Sequence, residues 1–207
     1  MKIQYVVLKD NLTFDEVAVY AELLPPYRRE KIERKRLEKD KLSSLVAGLL
    51  IRRAIGEKPV SFDEHGKPYV ADNSLCFSVS HSGSIIAIAT DKREIGLDVE
   101  ELPKTERLKI ADRFYHHNER EYVREAEDKL CAFCRIWTRK EAYLKMTGEG
   151  IGTDLTAFDT TSPPLSDMLY TVNLDGCCLS VCSEKQIHEN GIYISKLELS
   201  ELIKQQP

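Results

Sequence analysis

The spacing of apolar residues along this chain changes several times, and each change marks an element. Residues 3–8 are an almost unbroken apolar run of strand length. Pro25 and Pro26 then open a segment that reads as one long helix to about Gly56, since Pro suits a helix start and Gly its end. The first half of that segment is polar and basic, with Arg28, Arg29, Lys31, Arg34, Lys35, Arg36 and Lys39. In the second half Leu45, Val46, Leu49 and Leu50 recur at helical spacing and predict a packed face. From Phe77 the period drops to two: Phe77-Ser78-Val79-Ser80-His81-Ser82 alternates, Gly83 breaks it, and residues 85–89 are apolar throughout. That pattern predicts a hairpin with His81 at its turn. A polar turn at 91–94 leads to Ile95-Gly96-Leu97-Asp98-Val99-Glu100, a strand with apolar residues at alternate positions.

The second half of the chain predicts a charged helix over 105–114 and a short helix capped by Asn118, with Glu119 and Glu121 in its first turn. The longest clear helix runs over 128–146, and Gly148, Gly150 and Gly152 end it. Strands are expected at 169–174, 177–182 and 192–199, the first two joined by Asp175-Gly176, a strong hairpin signal. Two strand-rich halves, each with a long helix, therefore divide near Pro103. The expected class is α+β, with an N-terminal lobe over residues 1–103 and a C-terminal lobe over 104–207.

Two of these elements carry chemistry. On the helix, Trp137, Glu141 and Lys145 stand at four-residue steps and share a face. Glu followed four residues later by Lys is also the commonest helix-surface ion pair, worth only ~0.2–0.5 kcal/mol. On the strand, Asp98 and Glu100 share a face with Cα atoms about 6.5–7 Å apart, close enough for both carboxylates to lean onto one Mg2+. A carboxylate that takes a proton or holds a hard cation, beside an ammonium that neutralises phosphate, suits phosphoryl-type chemistry. His81 between two serines can donate to a phosphate or to backbone, and His65-Gly66-Lys67-Pro68 reads as a turn presenting a cation.

Five motifs in order carry a resemblance: Gly66-Lys67-Pro68; Phe77-Ser78-Val79-Ser80-His81-Ser82; Gly96-Leu97-Asp98-Val99-Glu100; Phe114-Tyr115-His116-His117-Asn118-Glu119; and Trp137-Thr138-Arg139-Lys140-Glu141-Ala142-Tyr143-Leu144-Lys145 with Gly148, Gly150 and Ile151. Together they resemble the 4'-phosphopantetheinyl transferases of the Sfp-like, surfactin-synthetase-activating type. The resemblance covers roughly residues 66–152, more loosely the basic segment before it, and neither the first strand nor the last fifty or so residues. It implies a pseudo-dimer of two similar α/β lobes, each a small mainly antiparallel sheet on a long helix, with coenzyme A in the cleft between them. It further implies transfer of 4'-phosphopantetheine from coenzyme A to a serine of an apo acyl- or peptidyl-carrier protein, releasing 3',5'-ADP.

Carried over residue by residue, the resemblance gives Asp98, Glu100 and Glu141 as ligands of Mg2+, or of Mn2+ in its place, with Glu119 close by. Glu141 is then the base and Lys145 the group that stabilises the departing 3',5'-ADP. Ser80 and His81 are expected on coenzyme A phosphates, Lys67 and Pro68 along the nucleotide, and Arg28 and Lys31 as further cations for phosphate. Many relatives carry an arginine for the 3'-phosphate where the register here puts Ser43. The alternatives weighed are a Mg2+-dependent phosphohydrolase using the same carboxylates on water and a non-catalytic coenzyme A-binding module.

Composition narrows the rest. With 207 residues and 42% hydrophobic content the chain can bury one large core or two small ones. A net charge of -4 provides no basic field for nucleic acid. No apolar run approaches the ~20 residues that span a bilayer, and Met1-Lys2-Ile3-Gln4-Tyr5 reads as a strand rather than a signal peptide. A cytoplasmic monomer is expected. Six cysteines then imply reduced thiols, and Cys131-x-x-Cys134 has no second pair at matching spacing to make a metal site.

Overall fold

In the computed structural model, which describes residues 1–105 and 107–204 and leaves the side chain of Ile151 outside that set, strand β1 (Lys2–Val7) opens the chain. The basic segment after Pro25 is two helices rather than one, α1 (Pro26–Glu33) and α2 (Glu38–Ile55). Glu38 and Asp40 explain the restart at 38, because carboxylates in a first turn favour a new helix N-terminus. The break lets Ile32 of α1 and Leu42, Leu45 and Leu49 of α2 enter the same core.

Strands β2 (Val60–Phe62) and β3 (Pro68–Val70) make a small hairpin of their own. β4 (Cys76–Ser82) and β5 (Ile85–Asp91) form the hairpin expected from the serine-rich motif. Its turn is at Gly83, with φ +53°, so His81 lies inside β4 opposite Ile86 rather than at the turn. β6 (Ile95–Glu101) follows, and then the helices α3 (Leu108–Phe114), α4 (His117–Glu125) and α5 (Lys129–Thr147). β7 (Leu169–Leu174) and β8 (Cys177–Ser183) turn at Asp175 and Gly176, both at positive φ as a tight hairpin demands. β9 (Tyr193–Lys196) is shorter than its apolar pattern, and α6 (Leu199–Ile203) takes over the residues beyond it.

Besides the two-stranded β2-β3 sheet, two larger sheets result, one ordered β4-β5-β1-β9 and the other β6-β8-β7. Alternation along the strands sorts their side chains. Ile3, Tyr5, Ile85, Ala87 and Ala89 of the first sheet meet Ile95, Leu97, Val99, Leu179 and Val181 of the second in one apolar layer. On the far side of the first sheet Ile86 and Ile88 pack against α2, while Ala142 and Met146 of α5 pack with Leu169 and Cys182 of the second. Each larger sheet thus carries one long helix on its outer face, which is the α+β arrangement of two similar lobes.

The chain crosses between lobes. β6 pairs with β8, and β9 pairs in parallel with β1, so the expected division near Pro103 is crossed twice. β6 also approaches α5 unusually closely: a Cβ at Gly96 would run into the backbone of Ala142 and Met146. Only glycine lets strand and helix come this near, and the same approach brings the acidic face of β6 under the Glu141 and Lys145 face of α5.

Candidate active site

Asp98 and Glu100 point from β6 toward α5, since the odd-numbered residues of the strand fill the layer between the sheets. Glu141 and Lys145 come down from α5, and Val79, Ser80 and His81 come across from β4. With Trp137 these side chains line one open cavity of about 400 Å³. A second cavity, of about 350 Å³, adjoins it through Val79, Glu141 and Lys145 and is lined by His65, Gly66, Lys67, Pro68, Phe77 and Ser78. The two form a continuous cleft.

Lys145 turns to the strand rather than to Glu141 on its own helix. Its Nζ lies 2.7 Å from Asp98 Oδ1 and donates to Ser80 Oγ at 2.9 Å. Ser80 Oγ in turn donates to Asp98 Oδ1 at 2.9 Å. Asp98 Oδ2 is buried and has no hydrogen-bond partner among the described residues. One step along the strand, Ser82 Oγ donates to Glu100 Oε2 at 2.7 Å.

Burial raises the pKa of each acidic side chain here. Burial pushes the Asp98 carboxyl up, against the pull of the Lys145 ammonium. Burial does the same to Glu100 and Glu141, and the negative charge of Asp98 adds to the rise in both. His81 shifts the other way: loss of hydration and then the positive charges of Lys35, Lys145 and Lys31, partly offset by Asp40, hold its imidazole below the usual value. Burial thus disfavours the charged form of all four groups.

The remaining residues singled out from the sequence divide. Lys67 and Pro68 line the cleft, but Lys67 Nζ is held 2.7 Å from Glu94 Oε2 and donates to Met146 O at 2.7 Å. Lys31 is exposed near His81. Arg28 is not in this cleft. It is buried, donates from Nη2 to Ser44 O at 2.8 Å, and lines a separate apolar cavity of about 480 Å³ with Tyr27, Gly48 and Ile51. Ser43 is buried in α2.

Glu119 does not join the acidic cavity either. It is fully buried against Lys140, with Nζ 2.7 Å from Oε2. Oε1 accepts from Thr160 N and Thr160 Oγ1, and Oε2 also accepts from His116 N, closing a capping box at the start of α4 with His116, not Asn118, as the cap. Its oxygens are fully used within the fold, so it anchors α4 to α5 instead of facing a cation. Glu94 was not singled out from the sequence, and Ser78 and Ser82 were named there only as part of the serine-rich motif, with Ser80 expected on coenzyme A phosphate. Glu94 holds Lys67, and the serines at 78, 80 and 82 all face β6; the period-two spacing of those serines was the visible signal of their shared face.

All six thiols are free, and among the described residues no three acidic, histidine or cysteine side chains stand ready-gathered around one point. No helix is long and apolar enough to cross a membrane, within the described residues.

Comparison with known proteins identifies the family. Residues 94–191 match the profile of the 4'-phosphopantetheinyl transferase superfamily, and residues 11–93 match that of the 4'-phosphopantetheinyl transferase N-terminal region. The two profiles meet immediately before β6, the strand that pairs with the second sheet. Among relatives, the 4'-phosphopantetheinyl transferase AcpT of Salmonella typhi is 36% identical over 148 residues, 68% of this chain and 76% of that one. The 4'-phosphopantetheinyl transferase Sfp of Bacillus subtilis is 28% identical over 76% of this chain and 75% of its own. The gsp protein of Aneurinibacillus migulanus, of the same name, is 28% identical over 79% and 77%. On these matches the chain belongs to the 4'-phosphopantetheinyl transferases, a family of enzymes.

Proposed function

We propose that this enzyme moves the 4'-phosphopantetheine group of coenzyme A onto a serine hydroxyl of an apo acyl- or peptidyl-carrier protein, leaving 3',5'-ADP. The observation that carries this reading is the shared cavity, in which Asp98, Glu100, Glu141 and Lys145 converge from β6 and α5 beside the Lys67-Pro68 pocket. Phosphoryl transfer asks for positioning and charge neutralisation more than for a protein nucleophile, and this cavity offers carboxylates and an ammonium, with the Ser80 hydroxyl tied between Lys145 and Asp98.

The residues present fit a hard divalent cation by donor type, although among the described residues no three of them are drawn together around one point in this structure. Asp98 Oδ2 is a buried acceptor without a partner among the described residues, and the donors are all oxygen, as Mg2+ prefers. Asp98, Glu100 and Glu141 would hold Mg2+, which when bound neutralises charge on the pyrophosphate of coenzyme A. Glu119 has no part in that set. Glu141, whose carboxyl is pushed up by burial and by Asp98, is suited to taking the proton of the incoming serine hydroxyl. Lys145 neutralises charge gathering on the departing phosphate, and His81 and Ser80 stand within the same cavity to orient it. Lys67 and Pro68 line the neighbouring pocket where the nucleotide end would rest.

The test is incubation with coenzyme A, Mg2+ and an apo carrier protein, followed by intact mass spectrometry of the carrier. Transfer adds one phosphopantetheinyl group to the carrier serine. Release of phosphate products without that addition would mean a hydrolase, and neither change would mean a binding module.

A further inference from the structure

β4 and β6 are neighbouring edge strands of different sheets, and they share no backbone ladder. Three serines at alternate positions of β4 bridge the gap. Leu97 N donates to Ser78 Oγ at 2.9 Å, and Glu101 N donates to Ser82 Oγ at 3.2 Å, so side-chain hydroxyls satisfy N–H groups on the open edge of β6. A serine hydroxyl has one proton to give. Because Ser82 Oγ accepts from Glu101 N, its own proton is free for Glu100 Oε2, which it reaches at 2.7 Å. Ser80 behaves in the same way, accepting from Lys145 Nζ and donating to Asp98 Oδ1. Each hydroxyl therefore engages one oxygen of a carboxylate. The other oxygen, Asp98 Oδ2 in one case and Glu100 Oε1 in the other, has no hydrogen bond among the described residues.

We propose that Ser82 is a positioning residue: its hydroxyl, held by Glu101 N, fixes one oxygen of Glu100 and so presents the other to the divalent cation. This inference rests on the metal reading given above. The seam supplies its own control, because Ser78, which lines the adjoining pocket, makes the corresponding bond to the β6 backbone without touching any carboxylate; saturating coenzyme A in every sample removes any effect of Ser78 on nucleotide binding. Loss of Ser78 reports what the seam does for the fold, and loss of Ser82 reports that plus the orientation of Glu100.

The experiment measures Mn2+ affinity of the coenzyme A-bound protein by the electron paramagnetic resonance signal of free Mn2+, with thermal unfolding of the same samples. Ser78→Ala and Ser82→Ala should lower the melting temperature by similar amounts. Only Ser82→Ala should weaken Mn2+ binding, by about 10-fold or more, as removal of a group that orients a metal ligand does. Ser82→Thr, which keeps the hydroxyl, should restore the affinity. Equal Mn2+ affinity in wild type and Ser82→Ala, or equal weakening by Ser78→Ala, would overturn the positioning role while leaving the metal reading intact. Failure of the wild-type protein to bind Mn2+ at all would overturn both.

Discussion

Glu141 and Lys145 stand four residues apart on one helix, yet Lys145 pairs with Asp98 of β6 and leaves Glu141 among like charges. Such an arrangement costs stability. In the cation-free protein the raised carboxyls bind protons more tightly in the folded than in the unfolded chain, so their contribution to stability falls as pH rises from the ordinary glutamate value of 4.5 through the raised folded values. Glu141→Gln should remove part of that slope and raise cation-free stability by about 1 kcal/mol near neutral pH, while transfer falls by orders of magnitude. Thermal unfolding against pH, paired with the carrier mass assay, checks both; unchanged transfer would remove Glu141 from the chemistry. The Mg2+ concentration needed for transfer should rise on the acid side, beginning above the ordinary carboxylate range, because protons compete with the cation for Asp98, Glu100 and Glu141. Lys145→Ala should lower kcat by about 100-fold and affinity for coenzyme A much less, since its charge matters most as the leaving phosphate develops. Calorimetry and single-turnover rates separate the two, and a loss confined to affinity would make Lys145 a clamp on bound coenzyme A.

Among the elements, β6 and α5 were the most legible. The alternation at 95–100 and the four-residue steps from Trp137 to Lys145 identify both elements and their chemical faces, because each pattern is periodic within a single element. What they do to each other was not legible. Gly96 looks like any strand glycine until α5 is seen lying against it, since the demand for a missing Cβ comes from another part of the chain. Gly96→Ala should therefore push α5 off β6, costing about 1–3 kcal/mol and most of the transfer activity, with chemical denaturation as the measure. A variant as stable and active as wild type would contradict the close-packing account. Glu119 was misplaced for a related reason: its partner Lys140 lies within the stripe Ile136, Lys140, Leu144, and a lysine in an apolar stripe is the sign of a buried acidic mate. The single long helix expected over 26–56 failed where Glu38 and Asp40 mark a fresh N-terminus.

At the scale of the molecule, the two lobes exchange strands. β9 completes the first sheet from the far end of the chain, and β6 edges the second, a pairing of distant segments that no local periodicity announces. The halves should accordingly not fold apart. Fragments 1–103 and 104–207, each made alone, should lack dispersed amide signals in NMR spectra, because the first would hold β6 without β8 and the second would hold β9 without β1. A dispersed spectrum from either fragment alone would show that the strand exchange is dispensable.

The cleft places Asp98, Glu100 and Glu141 beside the pocket of Lys67 and Pro68, and the proposed use of a metal there is the claim on which the rest depends. The most direct measurement is the mass of an apo carrier protein after incubation with coenzyme A and this enzyme in Mg2+, in EDTA, and in EDTA followed by excess Mg2+. The carrier should gain one phosphopantetheinyl group in the first and third samples and none in the second. Equal modification in all three would contradict the account.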